Sequence, residues 1–431
     1  MKAYFAGALG FEFNHPRLQA EVRNRLLSYH YMKGNLNQRF YNYPDEIGPD
    51  GNLAPGHRDR YNNIIVDSGA FSVWNKGDTI DLDKYIEYCL KYNSKVDYVV
   101  NLDVIPATPG DKKPSPEEVE RSASKGYDNY NYMISKGVPK EKLIHVFHQG
   151  ESYHWLTKMV HEDKMEYIGL SPANDRTTKE KVEWLHECMP YVTDSEGRAI
   201  VKFHGFAVTS FKLMSLFPWY SVDSATWGIA AGLGRVFLPR KRDGVWDYSS
   251  TRPEIFAISQ VKSHKTHLAH HAKIVRNVYE EYFTDLGLKM GVSKFIKVPK
   301  DYKVESAQDQ RDARDLLEDD SDWSRKRRMT EKLVITMAEY LDIKEREEGR
   351  SGVSAKGERI PGSMCLLRAD DPALQGFDEK TEKLVEIIVE EGVTNSVETR
   401  QFLNCHYINK FAQTLPEIPV WINDRPVGFG F

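Results

Sequence analysis

Between residues 143 and 171 the chain reads LIHVFHQGESYHWLTKMVHEDKMEYIGLS. An apolar run opens this segment, a polar tip and an amphipathic stretch follow, and a second apolar run closes it. Short apolar runs that alternate with longer amphipathic stretches are typical of βα units around a parallel sheet. The segment therefore predicts a strand, a helix and a second strand.

The same alternation recurs through the first half of the chain and favours an α/β fold of the (β/α)8 barrel type over an open doubly wound sheet. No GxGxxG follows the first strand, so nothing indicates a dinucleotide site. The predicted strands are Ala3–Leu9, Asn63–Asp67, Tyr98–Val104, Leu143–Gln149, Tyr167–Ser171, Ile200–Phe206, Trp219–Asp223 and Gly234–Leu238. The predicted helices between them are Pro16–Met32, Asp83–Tyr92, Pro116–Lys136, Tyr153–Glu162, Lys179–Met189 and Thr209–Phe217.

Composition points to a globular protein. The chain has 431 residues, 40% of them hydrophobic, and 59 Lys and Arg against 63 Asp and Glu give a formal net charge of −4. This balance excludes a histone-like polycation but leaves local basic patches open. No apolar run is long enough to span a bilayer and the start does not read as a signal peptide, so we expect a cytoplasmic protein without a membrane partner.

Beyond the predicted barrel the chain becomes more charged. We expect a barrel with a closing helix, Glu254–Phe283, over residues 1–285, and a charged helical extension over residues 286–343. Residues 344–374 read as a linker. Residues 375–431 are predicted to form a C-terminal helical segment with helices at Asp378–Glu391 and Ser396–Phe411, packed on the barrel or on a second copy of the chain, which leaves a homodimer open.

Polar residues follow the predicted strands at their C-terminal ends, where barrel enzymes carry their chemistry. One carboxylate at a barrel mouth can attack a sugar C1′ while a second handles the proton of the leaving group. A single Asp at such a place more often caps the next helix. These tips read DSGAFS at 67–72, NLD at 101–103, HQGE at 148–151, GLS at 169–171, HGF at 204–206 and DSA at 223–225.

In this order the motifs resemble those of the tRNA-guanine transglycosylase superfamily, whose barrel shows DSGGFQ, FDE, VQGG, a GGL-type turn, LMG, and FD followed by LP and arginines. The resemblance covers about the first 245 residues. The matching segments are DSGAFS at 67–72, NLD at 101–103, FHQGE at 147–151, IGLS at 168–171, KFHG at 202–205, SVDS at 221–224 and FLPRKR at 237–242.

The resemblance implies a role for each matched residue. Asp223 would attack C1′ of the target nucleotide, and Asp67 would act as general acid and base on the departing guanine. Asp103 and Gln149 would read the hydrogen-bonding edge of the base. The remaining members of the implied base pocket are Gly169 and Gly205, which let the backbone approach, Phe71, which offers a stacking surface, and Ser68, Gly69 and His204.

Departures from the family pattern bear on the substrate. Ala70 and Ser72 replace a glycine and a glutamine, Val104 replaces the Glu of FDE, and the four cysteines lack the CxCxxC spacing of the family's structural zinc site. The chain is therefore more similar to superfamily members that exchange guanine in DNA for a 7-deazaguanine such as preQ0, found largely in phages and genomic islands. No metal or other cofactor is needed for that chemistry.

Basic residues after the expected nucleophile are candidates for contacting nucleic-acid phosphates, although a solvated loop explains them equally well. They are Arg235, Arg240, Lys241 and Arg242. A second cluster, His264, His267 and His271, would share one face of the predicted long helix, where histidines are more often solvated than metal-bound.

Three other functions remain open. One is a tRNA-directed transglycosylase with a degenerate C-terminal half, and another is a non-catalytic partner subunit that retained the barrel. The third is a metal-dependent hydrolase, for which only His148 and His204 offer imidazoles at the mouth.

Overall fold

The computed structural model describes residues 1–7, 16–31, 63–74, 77–106, 114–208, 210–259, 266–299 and 380–422. Eight parallel strands close into a barrel in chain order, each hydrogen-bonded to its neighbours, and β1 pairs with β8. The (β/α)8 barrel is thus confirmed. Its strands are β1 Lys2–Ala6, β2 Asn24–Ser28, β3 Asn63–Asp67, β4 Tyr98–Val100, β5 Leu143–His148, β6 Tyr167–Ser171, β7 Lys202–Gly205 and β8 Ser221–Ser224.

Helices follow most of these strands, and two begin with a capping box. The Ser115 and Thr177 side chains accept from the backbone three residues on, and Glu118 and Glu180 reach back to the cap. The helices of the barrel region are α1 Pro16–Glu21, α2 Ala70–Trp74, α3 Leu82–Tyr92, α4 Pro116–Ser135, α5 Tyr153–Thr157, α6 Thr178–Val192 and α7 Phe211–Leu216. Helix α8, Thr226–Gly232, follows β8 in the chain. A π-helical turn, Lys158–Glu162, continues α5.

The second barrel strand corrects the sequence prediction. A single helix was expected over Pro16–Met32, but the helix ends at Glu21 and Asn24–Ser28 pairs in parallel with β1 and β3. Leu26 and Leu27 are buried there. Two apolar residues in so short a run fit either period, so pairing with two neighbouring strands decides the conformation.

The predicted eighth barrel strand, Gly234–Leu238, is also corrected. Arg235–Leu238 forms β9, which is not one of the eight barrel strands and pairs antiparallel with β12, Glu254–Ala257. The long helix expected over Glu254–Phe283 is therefore wrong at its start. After β12 come a short turn at Leu268–His270 and helix α9, Lys273–Asp285.

The C-terminal part of the chain contains a strand pair where helices were expected. Val292–Pro299, at the start of the predicted helical extension, forms β13 and pairs antiparallel with β14, Glu382–Glu390, which replaces the helix expected at Asp378–Glu391. The segment EKLVEIIVE is rich in β-branched residues, which favour strands once a partner strand is available. The last predicted helix is confirmed as α10, Val397–Thr414. The charged residues 312–343 and the linker at 344–374 lie outside the described residues.

The core of the barrel is filled by inward-facing apolar side chains. The cluster consists of Tyr4, Leu26, Ile65, Val100, Ile144, Val146 and Tyr167. These seven residues lie on strands β1 to β6, and their side chains fill the interior of the barrel. Polar groups at the strand ends are thereby held on a rigid base.

The chain divides into two compact units. The first comprises residues 1–226, 248–252 and 408–431 and contains the whole barrel, and the second comprises residues 227–247 and 253–407. Within the second unit, Asn404 of α10 accepts from the Phe237 N–H at 2.8 Å and donates to the Trp227 carbonyl at 2.9 Å.

Among the helices of the described ranges, none combines the length and apolarity needed to cross a membrane.

Candidate active site

The C-terminal ends of the barrel strands carry the polar residues that the sequence singled out. Asp67 ends β3, Asp103 follows β4, His148 ends β5, and Asp223 lies near the end of β8. In a closed parallel barrel these ends lie around one mouth. The negative charges of Asp103 and Asp223 both act on Asp67, which places the three carboxylates in one electrostatic site.

Asp67 is held in a tight turn between β3 and helix α2. The Gly69 N–H donates to Asp67 Oδ2 at 3.0 Å. Gly69 has a φ of +81°, and a Cβ there would lie 2.5 Å from Ser28 Oγ and 2.6 Å from His30 Cβ. Only glycine therefore fits this position. Because the turn at Gly69 lies so close to the end of β2, the position of the Asp67 carboxyl group is fixed.

The Asp67 carboxyl holds a proton far more tightly than an ordinary Asp. Burial raises the pKa of Asp67 to about 7, helped by the charges of Asp103 and Asp223 and opposed by the backbone hydrogen bonds of Gly69 and Ser68. A low-dielectric surrounding and like charges both disfavour the ionised form. At neutral pH the group can thus both give and take a proton.

Asp223 is anchored through one of its two oxygens. Its Oδ1 accepts from the Ala207 N–H at 2.8 Å and lies 3.3 Å from His204 Nε2. The side chain is buried, with the residue 7% exposed. Both hydrogen bonds that the described residues make to this carboxylate fall on Oδ1, so Oδ2 is the oxygen left for a reaction.

A charged triplet that the sequence did not predict lies at the ends of β4 and β5. His148 Nδ1 is 2.9 Å from Glu151 Oε1, and His148 Nε2 is 3.4 Å from Asp103 Oδ2. Burial disfavours the imidazolium, but the two carboxylates outweigh it and raise the pKa of His148 well above its usual value. The motif FHQGE contained this signal, although only Gln149 was assigned from it.

Asp103 keeps one acceptor unused. Its Oδ1 is buried and has no hydrogen-bond partner among the described residues, while Oδ2 faces His148. A buried carboxylate oxygen without a donor is costly, which makes it a good acceptor for an incoming N–H group.

Gln149 is engaged by the polypeptide itself. The Ala173 N–H donates to Gln149 Oε1 at 3.0 Å, and Gln149 Nε2 contacts the Glu180 carbonyl at 3.4 Å. The side chain thus fixes the loop after β6. Its predicted contact with a base stays a prediction.

The two glycines expected to admit a base are packed by protein side chains. A Cβ on Gly169 would lie 2.5 Å from Phe206 Cε2, and a Cβ on Gly205 would lie 2.7 Å from Val208 Cγ2. Both positions therefore need glycine for internal packing. By contrast, Phe71 is 51% exposed, and the centroid of its ring lies 5.9 Å from that of Trp74.

Ser68 and His204 differ in what they contact. Ser68 is fully buried and its Oγ accepts from the Ala70 N–H at 3.3 Å, which supports the turn after β3. His204 was predicted to line the base pocket, and the structure places its fully buried ring against Asp223. No contact of His204 with a base is needed to explain its position.

Three of the four basic residues expected to hold phosphates form ion pairs within the second unit. These three lie on β10, Arg240–Arg242, which forms a hairpin with β11, Val245–Asp247. The pairs are Arg240 with Glu254 at 2.6 Å, Lys241 with Glu281 at 2.5 Å and Arg242 with Asp247 at 3.2 Å. Arg235 lies on β9. Phosphate contact by these residues stays a prediction.

The predicted histidine cluster does not share a helix face. His267 caps the turn at Leu268–His270, its Nδ1 accepting from the Ala269 N–H at 3.1 Å and its Nε2 donating to the Ser259 carbonyl at 2.7 Å. His271 ends that turn, and His264 lies outside the described residues. Within the part of the chain that the structure describes, no three His, Cys, Asp or Glu side chains are arranged to hold a metal ion.

The site therefore combines a carboxyl that titrates near neutrality, a carboxylate anchored through one oxygen, and an acceptor beside an imidazolium. Comparison with known proteins finds no matching protein-family model and no matching curated sequence.

Proposed function

We propose that the protein is a base-exchange glycosyltransferase that replaces guanine in DNA with a 7-deazaguanine such as preQ0. The observation that carries the proposal is the contrast between two carboxyl groups of one site. Asp67 has its pKa raised to about 7, while Asp223 is anchored through Oδ1 with Oδ2 left over. Paired carboxyls in different environments are suited to acid–base and nucleophilic roles in glycosyl transfer.

In the first half of the proposed reaction, Asp223 Oδ2 forms a bond to C1′ of the target nucleotide. The bond between C1′ and guanine breaks, the electron pair leaves with the base, and the Asp67 carboxyl supplies the proton that makes guanine a better leaving group. A glycosyl ester of Asp223 and an Asp67 carboxylate result.

In the second half, the incoming 7-deazaguanine gives its ring N–H proton to the Asp67 carboxylate. Its nitrogen bonds to C1′, and the bond between C1′ and Asp223 Oδ2 breaks. Two displacements retain the configuration at C1′ and return both carboxyl groups to their starting states. Neither water nor a redox partner is consumed.

Recognition of the base would rest on Asp103 and Phe71. The unpartnered Asp103 Oδ1 suits the adjacent N–H donors on the Watson–Crick edge of guanine, which adenine does not offer in the same pattern. The exposed ring of Phe71 offers a stacking face for a base taken out of the helix.

DNA is proposed over tRNA because the chain lacks the cysteine spacing of the tRNA enzymes' zinc site. The test incubates the 431-residue chain with preQ0 and one of three nucleic acids, guanine-containing duplex DNA, single-stranded DNA or tRNA, and analyses the nucleosides by mass spectrometry. We expect incorporation into DNA. Asp67→Asn and Asp223→Asn should abolish incorporation, whereas the exposed helix residue Asp128→Asn is a matched control that should retain it.

Each other outcome is informative. Incorporation into tRNA alone would establish the tRNA-directed alternative. Absence of exchange with all three nucleic acids, together with absence of a covalent adduct, would refute the proposal and favour a non-catalytic partner subunit. Exchange that survives Asp223→Asn would refute the assignment of the nucleophile.

A further inference from the structure

A row of buried polar side chains lies behind Asp223. His204 Nε2 faces Asp223 Oδ1 at 3.3 Å, and on the other side of the ring His204 Nδ1 lies 2.6 Å from Ser221 Oγ. Ser221 is hydrogen-bonded in turn to the Tyr167 hydroxyl. His204 and Ser221 are completely buried, and Tyr167 nearly so.

One arrangement of hydrogens satisfies every acceptor in this row. The Asp223 carboxylate can only accept, so the ring hydrogen that faces Oδ1 lies on His204 Nε2. With one hydrogen on the ring, Nδ1 accepts from the Ser221 hydroxyl, and Ser221 Oγ in turn accepts from the Tyr167 hydroxyl, whose pKa is raised by burial. The arrangement fixes both the orientation and the tautomer of the imidazole.

Ser221, His204 and Asp223 contact one another in the same order as the serine, histidine and aspartate of a hydrolase triad. That chemistry requires an accessible serine oxygen. Ser221 Oγ lies on the opposite side of the ring from Asp223, is fully buried and contacts Tyr167. The row therefore serves to orient Asp223 through hydrogen bonds. Of the residues at its two ends, Asp223 is the more exposed, at 7% against 3% for Tyr167.

We propose that His204 is a positioning residue for Asp223 that assists breakdown of the glycosyl intermediate. This inference rests on the proposed function. While Oδ2 is bonded to C1′, Oδ1 is an ester carbonyl and accepts a weak hydrogen bond. When the C1′–Oδ2 bond breaks, the electron pair returns to the carboxylate and the hydrogen bond from His204 Nε2 strengthens. Its effect therefore falls mainly on the second half of the reaction.

The test compares His204→Leu, which removes the donor, with His204→Gln, whose amide nitrogen can replace Nε2. Loss of a hydrogen bond to a charged group should lower kcat about 10- to 100-fold. For His204→Leu we expect this loss together with a similar fall in KM for DNA, so that kcat/KM for DNA changes little, and an Asp223 adduct that accumulates in mass spectra. His204→Gln should recover most of kcat.

A matched control is His145→Gln. His145 is likewise buried on a barrel strand, but its Nδ1 faces Asn101 at 3.0 Å and the ring makes no contact with Asp223. It should lower stability without accumulation of the adduct. Wild-type kcat in His204→Leu, or a lower kcat/KM for DNA without accumulation of the adduct, would overturn the proposal.

A second measurement separates this inference from the proposed function. In ¹⁵N spectra of the labelled protein, assigned by the signal lost in His204→Gln, His204 should be the neutral Nε2–H tautomer, and Asp223→Asn should shift its Nε2 resonance. A doubly protonated ring or an Nδ1–H tautomer would overturn the inference. Failure of wild-type protein to exchange any base would instead refute the proposed function.

Discussion

Replacing Asp67 with asparagine should stabilise the protein at alkaline pH and have little effect in acid. The folded structure raises the pKa of this carboxyl from 3.8 to about 7, chiefly through burial. The folded state therefore binds a proton that the unfolded chain releases between these pH values. As pH rises through this window, wild-type stability falls, because ionised Asp67 is unfavourable in the folded site.

The size of the effect follows from the shift. One pKa unit corresponds to about 1.4 kcal/mol, so a rise from 3.8 to about 7 corresponds to roughly 4 kcal/mol at most. The asparagine side chain would keep an acceptor for the Gly69 N–H and carry no charge. We expect Asp67→Asn to gain about 2 to 4 kcal/mol at pH 8 and close to zero at pH 4.

The assay is urea unfolding of wild type and Asp67→Asn, followed by circular dichroism, at intervals from pH 4 to pH 9. The informative quantity is the difference in unfolding free energy between the two proteins, which cancels the titration of other groups. Asp128→Asn serves as the control for removing one charge. A difference that does not vary with pH, or that grows toward acid, would refute the burial argument for Asp67.

Three further predictions concern the same end of the barrel. The rate of base exchange should fall as pH rises above about 7, because the acid form of Asp67 is lost; a rate that keeps rising to pH 9 would contradict its role. Gly69→Ala should destabilise the protein by roughly 1–3 kcal/mol in thermal unfolding, since its Cβ would lie 2.5 Å from Ser28 Oγ at a φ of +81°. Asp103→Asn should lower the pKa values of both Asp67 and His148 by removing a nearby negative charge, and NMR titration of the His148 ring would show an unchanged midpoint if that coupling were absent.

The sequence was most informative where a local pattern repeats. Apolar runs with polar tips identify seven of the eight barrel strands and place Asp67 and Asp223 at strand ends, because side-chain periodicity is a property of neighbouring residues. The same reasoning missed β2 at Asn24–Ser28 and read Glu382–Glu390 as a helix. Asn24–Ser28 is too short to distinguish the two periods, and the apolar residues of Glu382–Glu390 fit either period. In both segments hydrogen bonding to a partner strand decides the conformation.

At the candidate site, the ionisable groups and the strand ends near which they lie can be read from the chain. Their protonation states and hydrogen-bond partners depend on the folded arrangement. Burial together with charges from two other strands sets the pKa of Asp67, and His204 faces Asp223 because β7 and β8 are adjacent in the closed barrel. Such effects depend on distance and on the exclusion of water, and neither is a property of residues adjacent in the chain.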